Sequence, residues 1–343
     1  MVSLLDEDFS HLTPDVLPLF DAHCDTISAL EAADGGTLLK NNLHVDLTRA
    51  GQYAAYAQCF ALWGDPDRIA EQGGAAVLQA LYDRFRQEMD RCADQIIFCR
   101  TRQDFQTART AGKMAAFLSV EGADLLDCSI DALRRVHSLG VRIVNLTWNR
   151  ANILSGSHMD QPDRGLSEEG EEFVRAMLRL RMLPDVSHLS EPGFWDVADL
   201  CLAQRRPFVA THSNAKALCP HSRNLTDDQF RAIIRSGGVV GLNLYTDFLG
   251  QGATLDTALD HVLHFIELGG QKHICLGCDL DGCDTLPPPI RGVEDLHLLA
   301  EGLHRLNRKQ NHLAKGLLAR NLEYSMIEDL FYNNLERVIL CSM

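Results

Sequence analysis

Long hydrophobic runs are missing from this sequence of 343 residues. No apolar stretch reaches the ~18 residues of a membrane-spanning helix, and the C-terminus carries no hydrophobic anchor signal. Basic clusters are missing too: 32 Lys and Arg stand against 47 Asp and Glu, a formal charge of -15, with no run of cations to attract nucleic acid or an anionic membrane. The first residues, Met1 to Asp8, are acidic where a secretory leader has a positive region followed by an apolar one. No internal repeat, low-complexity stretch or linker interrupts the chain. Eleven cysteines, an odd number scattered over a large chain, fit reduced thiols better than a disulfide framework. The expectation is a cytoplasmic protein with neither a nucleic-acid nor a membrane partner.

What is present is enough for a large core, since 46% of the residues are hydrophobic. Eight short β-branched or apolar runs recur, at roughly 17-23, 53-62, 114-120, 141-147, 183-188, 207-212, 238-245 and 273-279, and segments of helical period follow them. Ser167 before Glu168 and Glu169, and Thr226 three residues before Gln229, are helix-start signals where that alternation needs them. Strand-then-helix alternation predicts a parallel sheet with helical crossovers. The expected fold is an α/β (β/α)8 TIM barrel of the metal-dependent hydrolase type, one domain over 1-343, with 293-342 as a C-terminal helical tail that closes it. Loops are expected at 31-42, 148-166 and 282-292. Pro184 lacks a ladder donor, so the strand around it is expected to start later.

In such a barrel the C-terminal strand ends form the active face. Five of the eight predicted ends offer His, Asp or Glu: His23 and Asp25, two apart and on one side of their strand, then Glu121, His188, His212 and Asp279. Any one of them is most simply a turn or cap residue, but all at one end of one barrel is hard to attribute to capping. Three imidazoles and two carboxylates can fill two zinc sites if one carboxylate bridges, with a bridging hydroxide as nucleophile. Other features read as structure. Cys275 and Cys278 have knuckle spacing but face opposite sides of a strand. His261 and His264 lack a third ligand and are expected at the surface. Asp281 either caps a turn or supports Asp279, and Asp21 is placed to orient His23.

From about residue 17 onward the sequence resembles the membrane (renal) dipeptidase family of zinc peptidases. The stretches that carry the likeness are Asp21 to Thr26, Ser119 to Gly122, Asp185 to His188, Thr211 to Asn224, Gly237 to Tyr245 and Gly277 to Gly282. The resemblance implies that His23 and Asp25 hold one zinc, His188 and His212 the other, and Glu121 bridges. It implies that Arg223, with Asn224 beside it, grips the C-terminal carboxylate of a dipeptide, that Tyr245 shapes that pocket, and that Asp279 handles the proton; it also suggests a homodimer. Asp279 and Glu121 are thus the expected catalytic pair. A guanidinium suits a free carboxylate, so a dipeptide preference follows, with a D residue admissible at the C-terminal position.

The chain departs from the family in carrying Trp148 where the renal enzyme has an oxyanion-binding His. Asn152 or His158, in the following loop, is the candidate replacement. Cys219 has no evident disulfide partner. Two rival readings stand beside the dipeptidase: a related two-metal hydrolase acting on another carboxylate-bearing amide, cyclic amide or lactone, and a catalytically silent binding protein.

Overall fold

Every strand runs parallel to its neighbours in a computed structural model that describes residues 13–32, 36–313 and 324–343. The acidic N-terminal octet and residues 314–323 of the expected tail lie outside the described residues. The strands are β1 Pro18–Cys24, β2 Ala55–Trp63, β3 Ile96–Phe98, β4 Met114–Glu121, β5 Val141–Asn145, β6 Leu183–Asp185, β7 Val240–Leu242 and β8 Ile274–Leu276. They are hydrogen-bonded in the order β6-β5-β4-β2-β1-β8-β7, with β3 added beside the start of β4. Val209 and Ala210 span the remaining gap, pairing with Asp185 and Val240, so the sheet curls into a ring of eight staves. This is the (β/α)8 barrel expected.

Four details differ from the expectation. The stave at 207-212 shrinks to the two residues Val209 and Ala210, and β3 is a strand that periodicity missed, because three residues paired with only Met114–Ala116 leave no pattern. Strands also stop earlier than drawn, at Asp185 and Leu276 rather than 188 and 279. The reason lies in the backbone: His188, Asp279 and Asp281 have φ of 71°, 60° and 67°, a left-handed geometry that breaks the ladder and turns the chain. Pro184 sits within β6, opposite Val144, and its carbonyl accepts the Val209 N–H, so the missing donor shortens nothing.

Burial explains why the strands read as continuous apolar runs: β4 is buried along both faces. Inside the ring, Phe20, Ala57, Phe117, Ile143, Leu183 and Cys275 form one cluster with Tyr332, Leu335, Val338 and Ile339 of the C-terminal segment. Phe20 and Phe117 stack at 5.1 Å, and Tyr332 lies 5.6 Å from Phe20. The helix Asn334–Ile339 therefore plugs the barrel floor, where Asn334 donates to the carbonyls of Gln271 and Ile274. Cys278 belongs to the outer cluster and Cys275 to the inner, facing opposite sides as expected. Ser167 and Thr226 both cap their helices, Thr226 reciprocally with Gln229. Plugging the floor leaves the opposite, C-terminal mouth open.

Candidate metal centre

Five separate strand ends deliver titratable side chains to that mouth. His23 is the penultimate residue of β1, Asp25 follows its end, and Glu121 is the last residue of β4. His23 Nε2 lies 3.3 Å from Asp25 Oδ2, 3.5 Å from Glu121 Oε2 and 3.8 Å from Asp279 Oδ1. The other oxygen of Glu121 faces elsewhere: Oε1 is 2.9 Å from His188 Nε2 and 3.4 Å from His212 Nε2. All five expected ligands thus converge, with the two oxygens of one carboxylate turned toward two different groups. Each is at least nine-tenths buried.

The surrounding hydrogen bonds dictate where the imidazole protons sit. Thr211 gives its hydroxyl proton to Asp185 Oδ2, so its oxygen accepts from His212 Nδ1 at 2.8 Å. Asn149 Oδ1 accepts from His188 Nδ1 at 2.8 Å. Both rings are therefore protonated at Nδ1, and both Nε2 atoms present lone pairs, 2.9 Å apart. Two buried lone pairs at that separation need a cation between or beside them. His23 makes the same demand, for both its ring nitrogens and Asp25 Oδ1 are buried without a hydrogen-bond partner.

Charge agrees with this geometry. Burial, reinforced by Arg223, pushes His188 down to about 4, so it is neutral and able to ligate at pH 7. Burial, with the charge of Glu121 beside it, raises Asp25 to about 7. Burial opposes a charge on His23, yet Glu121 and Asp25 outweigh it and lift its pKa well above the ordinary value. Crowded carboxylates that lift an imidazole in this way lack positive charge, which divalent cations supply. Gly282 confirms how closely the carboxylates are packed: a Cβ there would stand 2.2 Å from Asp25 Oδ2 and 2.5 Å from Asp279 Oδ1. Nitrogen and oxygen donors in this number fit zinc.

A cleft of about 540 Å³ opens over the cluster, walled by Trp63, Trp148, His158, His221, Tyr245 and Phe248 among others. Arg223 lies buried beside His212, donating from Nη1 to Ser213 Oγ at 3.3 Å and from Nη2 to the His212 carbonyl at 3.1 Å. Its Nε has no partner, so a buried, anchored guanidinium keeps a donor free, behind His188 and outside the residues that wall the cleft. Asp279 keeps one oxygen toward His23 while the other accepts from Asn243 at 2.9 Å.

Several expected residues take other positions. Asn224 spends its amide nitrogen on the carbonyls of Cys219 and Phe248, bracing the loop that carries Arg223. Asn152 donates to Asp124 and the Leu146 carbonyl and accepts from Leu154, which makes it a brace of the 148-166 loop outside the cleft walls. His158 does line the cleft, but both ring nitrogens are engaged, by Asn149 and Ser222. Asp21 holds the backbone N–H groups of His23 and Cys278 rather than the His23 ring. Asp281 binds Thr26 and the His44 N–H instead of capping its own turn or reaching Asp279. His261 is wholly buried, accepting the Ala215 N–H, not at the surface; only the amphipathic period was visible, and helix Leu255–Glu267 turns that face inward. Asn149, Asp185 and Thr211 were missed as functional candidates. Asn149 and Thr211 were signalled by adjacency to Trp148 and His212, and Asp185 and Thr211 by opening stretches that carry the family likeness.

A model of the membrane dipeptidase family, peptidase family M19, matches residues 9–339. The chain belongs to this family. It is 38% identical over 226 residues to an uncharacterized dipeptidase of Schizosaccharomyces pombe, a match covering 62% of this chain but only 53% of that protein. Among solved structures, a metallo peptidase named dipeptidase AC superposes with a TM-score of 0.80 at 29% identity, covering 95% of this chain and 98% of the other. A metallo peptidase of Rhodobacter sphaeroides, bound to a phosphinate mimic of the dipeptide L-Ala-D-Ala, gives 0.78 at 28% identity, covering 95% and 99%. Membrane dipeptidase family membership makes this a metallopeptidase-type enzyme with a metal cofactor. Among the described residues no helix is long and apolar enough to cross a membrane.

Proposed function

We propose that this chain is a dipeptidase that uses two zinc ions, one held by His23 and Asp25, the other by His188 and His212, with Glu121 shared between them. The observation that carries the reading is the pair of Nε2 lone pairs 2.9 Å apart beside a carboxylate whose two oxygens face different ligands. Bound there, the metals supply an activated water as nucleophile and a Lewis acid for the scissile carbonyl.

The chain's own groups do the rest. Burial raises the Asp279 carboxyl, against the pull of His23, so it can take a proton from the attacking water and return it to the leaving amine. Arg223, already fixed by Ser213 and the His212 carbonyl, offers its free Nε–H edge to the substrate's terminal carboxylate. A longer peptide would bring a neutral amide to that buried charge. Asn224 acts by bracing Arg223, and Tyr245 closes the cleft wall beside Phe248, 4.9 Å away. The neighbour's ligand, a mimic of L-Ala-D-Ala, supports acceptance of a D residue at the C-terminal position. Eleven cysteines with no disulfide support a reducing, cytoplasmic location.

Hydrolysis of an unblocked dipeptide against its C-terminal amide tests the reading. The expected kcat/KM ratio is about tenfold or more in favour of the free acid, from one or two charge-assisted bonds of about 1.5–3 kcal/mol each; a ratio near one removes Arg223 from its role. Trp148 in the cleft wall leaves room for the second reading, hydrolysis of a cyclic amide or lactone, which faster turnover of those substrates than of any dipeptide would favour.

A further inference from the structure

Four side chains join the metal centre to the loop that carries Arg223. His188 Nδ1 and His158 Nε2 both donate to the one oxygen Asn149 Oδ1, at 2.8 and 2.9 Å. His158 Nδ1, left as a lone pair, accepts from the Ser222 hydroxyl at 2.8 Å. Ser222 immediately precedes Arg223. Every donor in this chain has one acceptor and every acceptor is supplied, so its direction is fixed: Ser222 to His158, His158 to Asn149, and His188 to Asn149 from the other side. The main chain repeats the link, for the His158 N–H donates to the His188 carbonyl at 2.8 Å.

On the reading that His188 is a zinc ligand, we propose that Asn149 and His158 are positioning residues with separable duties: Asn149 fixes the tautomer and aim of His188, and His158 sets the registry of the Arg223 loop on the metal centre. The distance from zinc to the guanidinium, and hence the length of substrate that bridges them, is then set by this chain. His158 belongs to the same long loop as Trp148, and its duty is alignment rather than donation to a reacting oxygen, since neither ring nitrogen is free.

The test uses the full chain loaded with zinc, with Asn149→Ala, Asn149→Asp, His158→Phe and Ser222→Ala compared by zinc competition against a chromogenic chelator and by steady-state hydrolysis. Asn149→Ala should weaken one of two zinc sites by about 10–100-fold, and Asn149→Asp, which keeps an acceptor oxygen for both rings, should restore most of it. His158→Phe and Ser222→Ala should leave zinc affinity within about threefold. They should raise KM for an unblocked dipeptide by about tenfold, with kcat less affected and KM for the C-terminal amide unchanged, as expected when a remote aligning contact is lost. Parental zinc affinity in Asn149→Ala, or a parental KM in His158→Phe, overturns the proposal. Failure of the unmutated chain to bind zinc or cut dipeptides would instead sink the reading beneath it.

Discussion

Gly282→Ala is the most discriminating substitution in the site. The added Cβ would fall 2.2 Å from Asp25 Oδ2 and 2.5 Å from Asp279 Oδ1, where ordinary contacts start near 3.4 Å, so each carboxylate must yield by roughly 1 Å. Misplacement of that size at a reacting centre costs about 10²-fold in rate, or ~2.7 kcal/mol at 1.36 kcal/mol per decade. The backbone gives no other reason for a loss, since Gly282 lies outside the left-handed region. The clashing atoms are the ends of two side chains rather than backbone, so relieving the clash needs no change of fold. Activity and stability should therefore move apart: kcat/KM on an unblocked dipeptide falls about 100-fold while the apo-protein Tm stays level. Parental kcat/KM in a folded variant would refute the packing of Asp25 against Asp279, and with it the account of the first metal site.

Thr211→Val removes the hydroxyl that accepts from His212 Nδ1, and zinc affinity measured by competition should drop by about 10–100-fold with little change in fold. Arg223→Met should raise KM for dipeptides by about 10²-fold and leave zinc content unchanged, checked by metal analysis beside kinetics. Chelation should lower the Tm by on the order of 10 °C, reversibly on zinc addition, because each ion at about a thousand times its Kd contributes ~4 kcal/mol and ~1 kcal/mol is worth at most a few degrees in a chain of this size. Leu335→Ala, in the barrel floor, should cost about 2–4 kcal/mol in denaturant unfolding while KM stays parental, since it is far from the mouth.

Legibility followed periodicity and position. β4 could be drawn almost to the residue because Met114–Glu121 is long, apolar and buried on both faces. The five candidate ligands could be picked out because each stands at a strand end or within three residues of one. Ile96–Phe98 was not, being too short to show a period, and neither was the shrinking of 207-212 to a bridge, which depends on how its neighbours close the ring. Asparagine was misjudged for a physical reason. Asn149, Asn152 and Asn224 all sit in loops, and which amide braces backbone and which serves an imidazole depends on partners far along the chain, such as His188, 39 residues from Asn149. Strand-end chemistry is a property of one segment, whereas the hydrogen bonds that fix a tautomer belong to two.

The most direct test of the central claim is a crystal structure of the zinc-loaded chain with metals assigned by anomalous scattering. Two peaks are predicted, one within bonding distance, about 2.0–2.2 Å, of His23 and Asp25, the other of His188 and His212, and both touching Glu121. A single peak, or two that do not share Glu121, would contradict it.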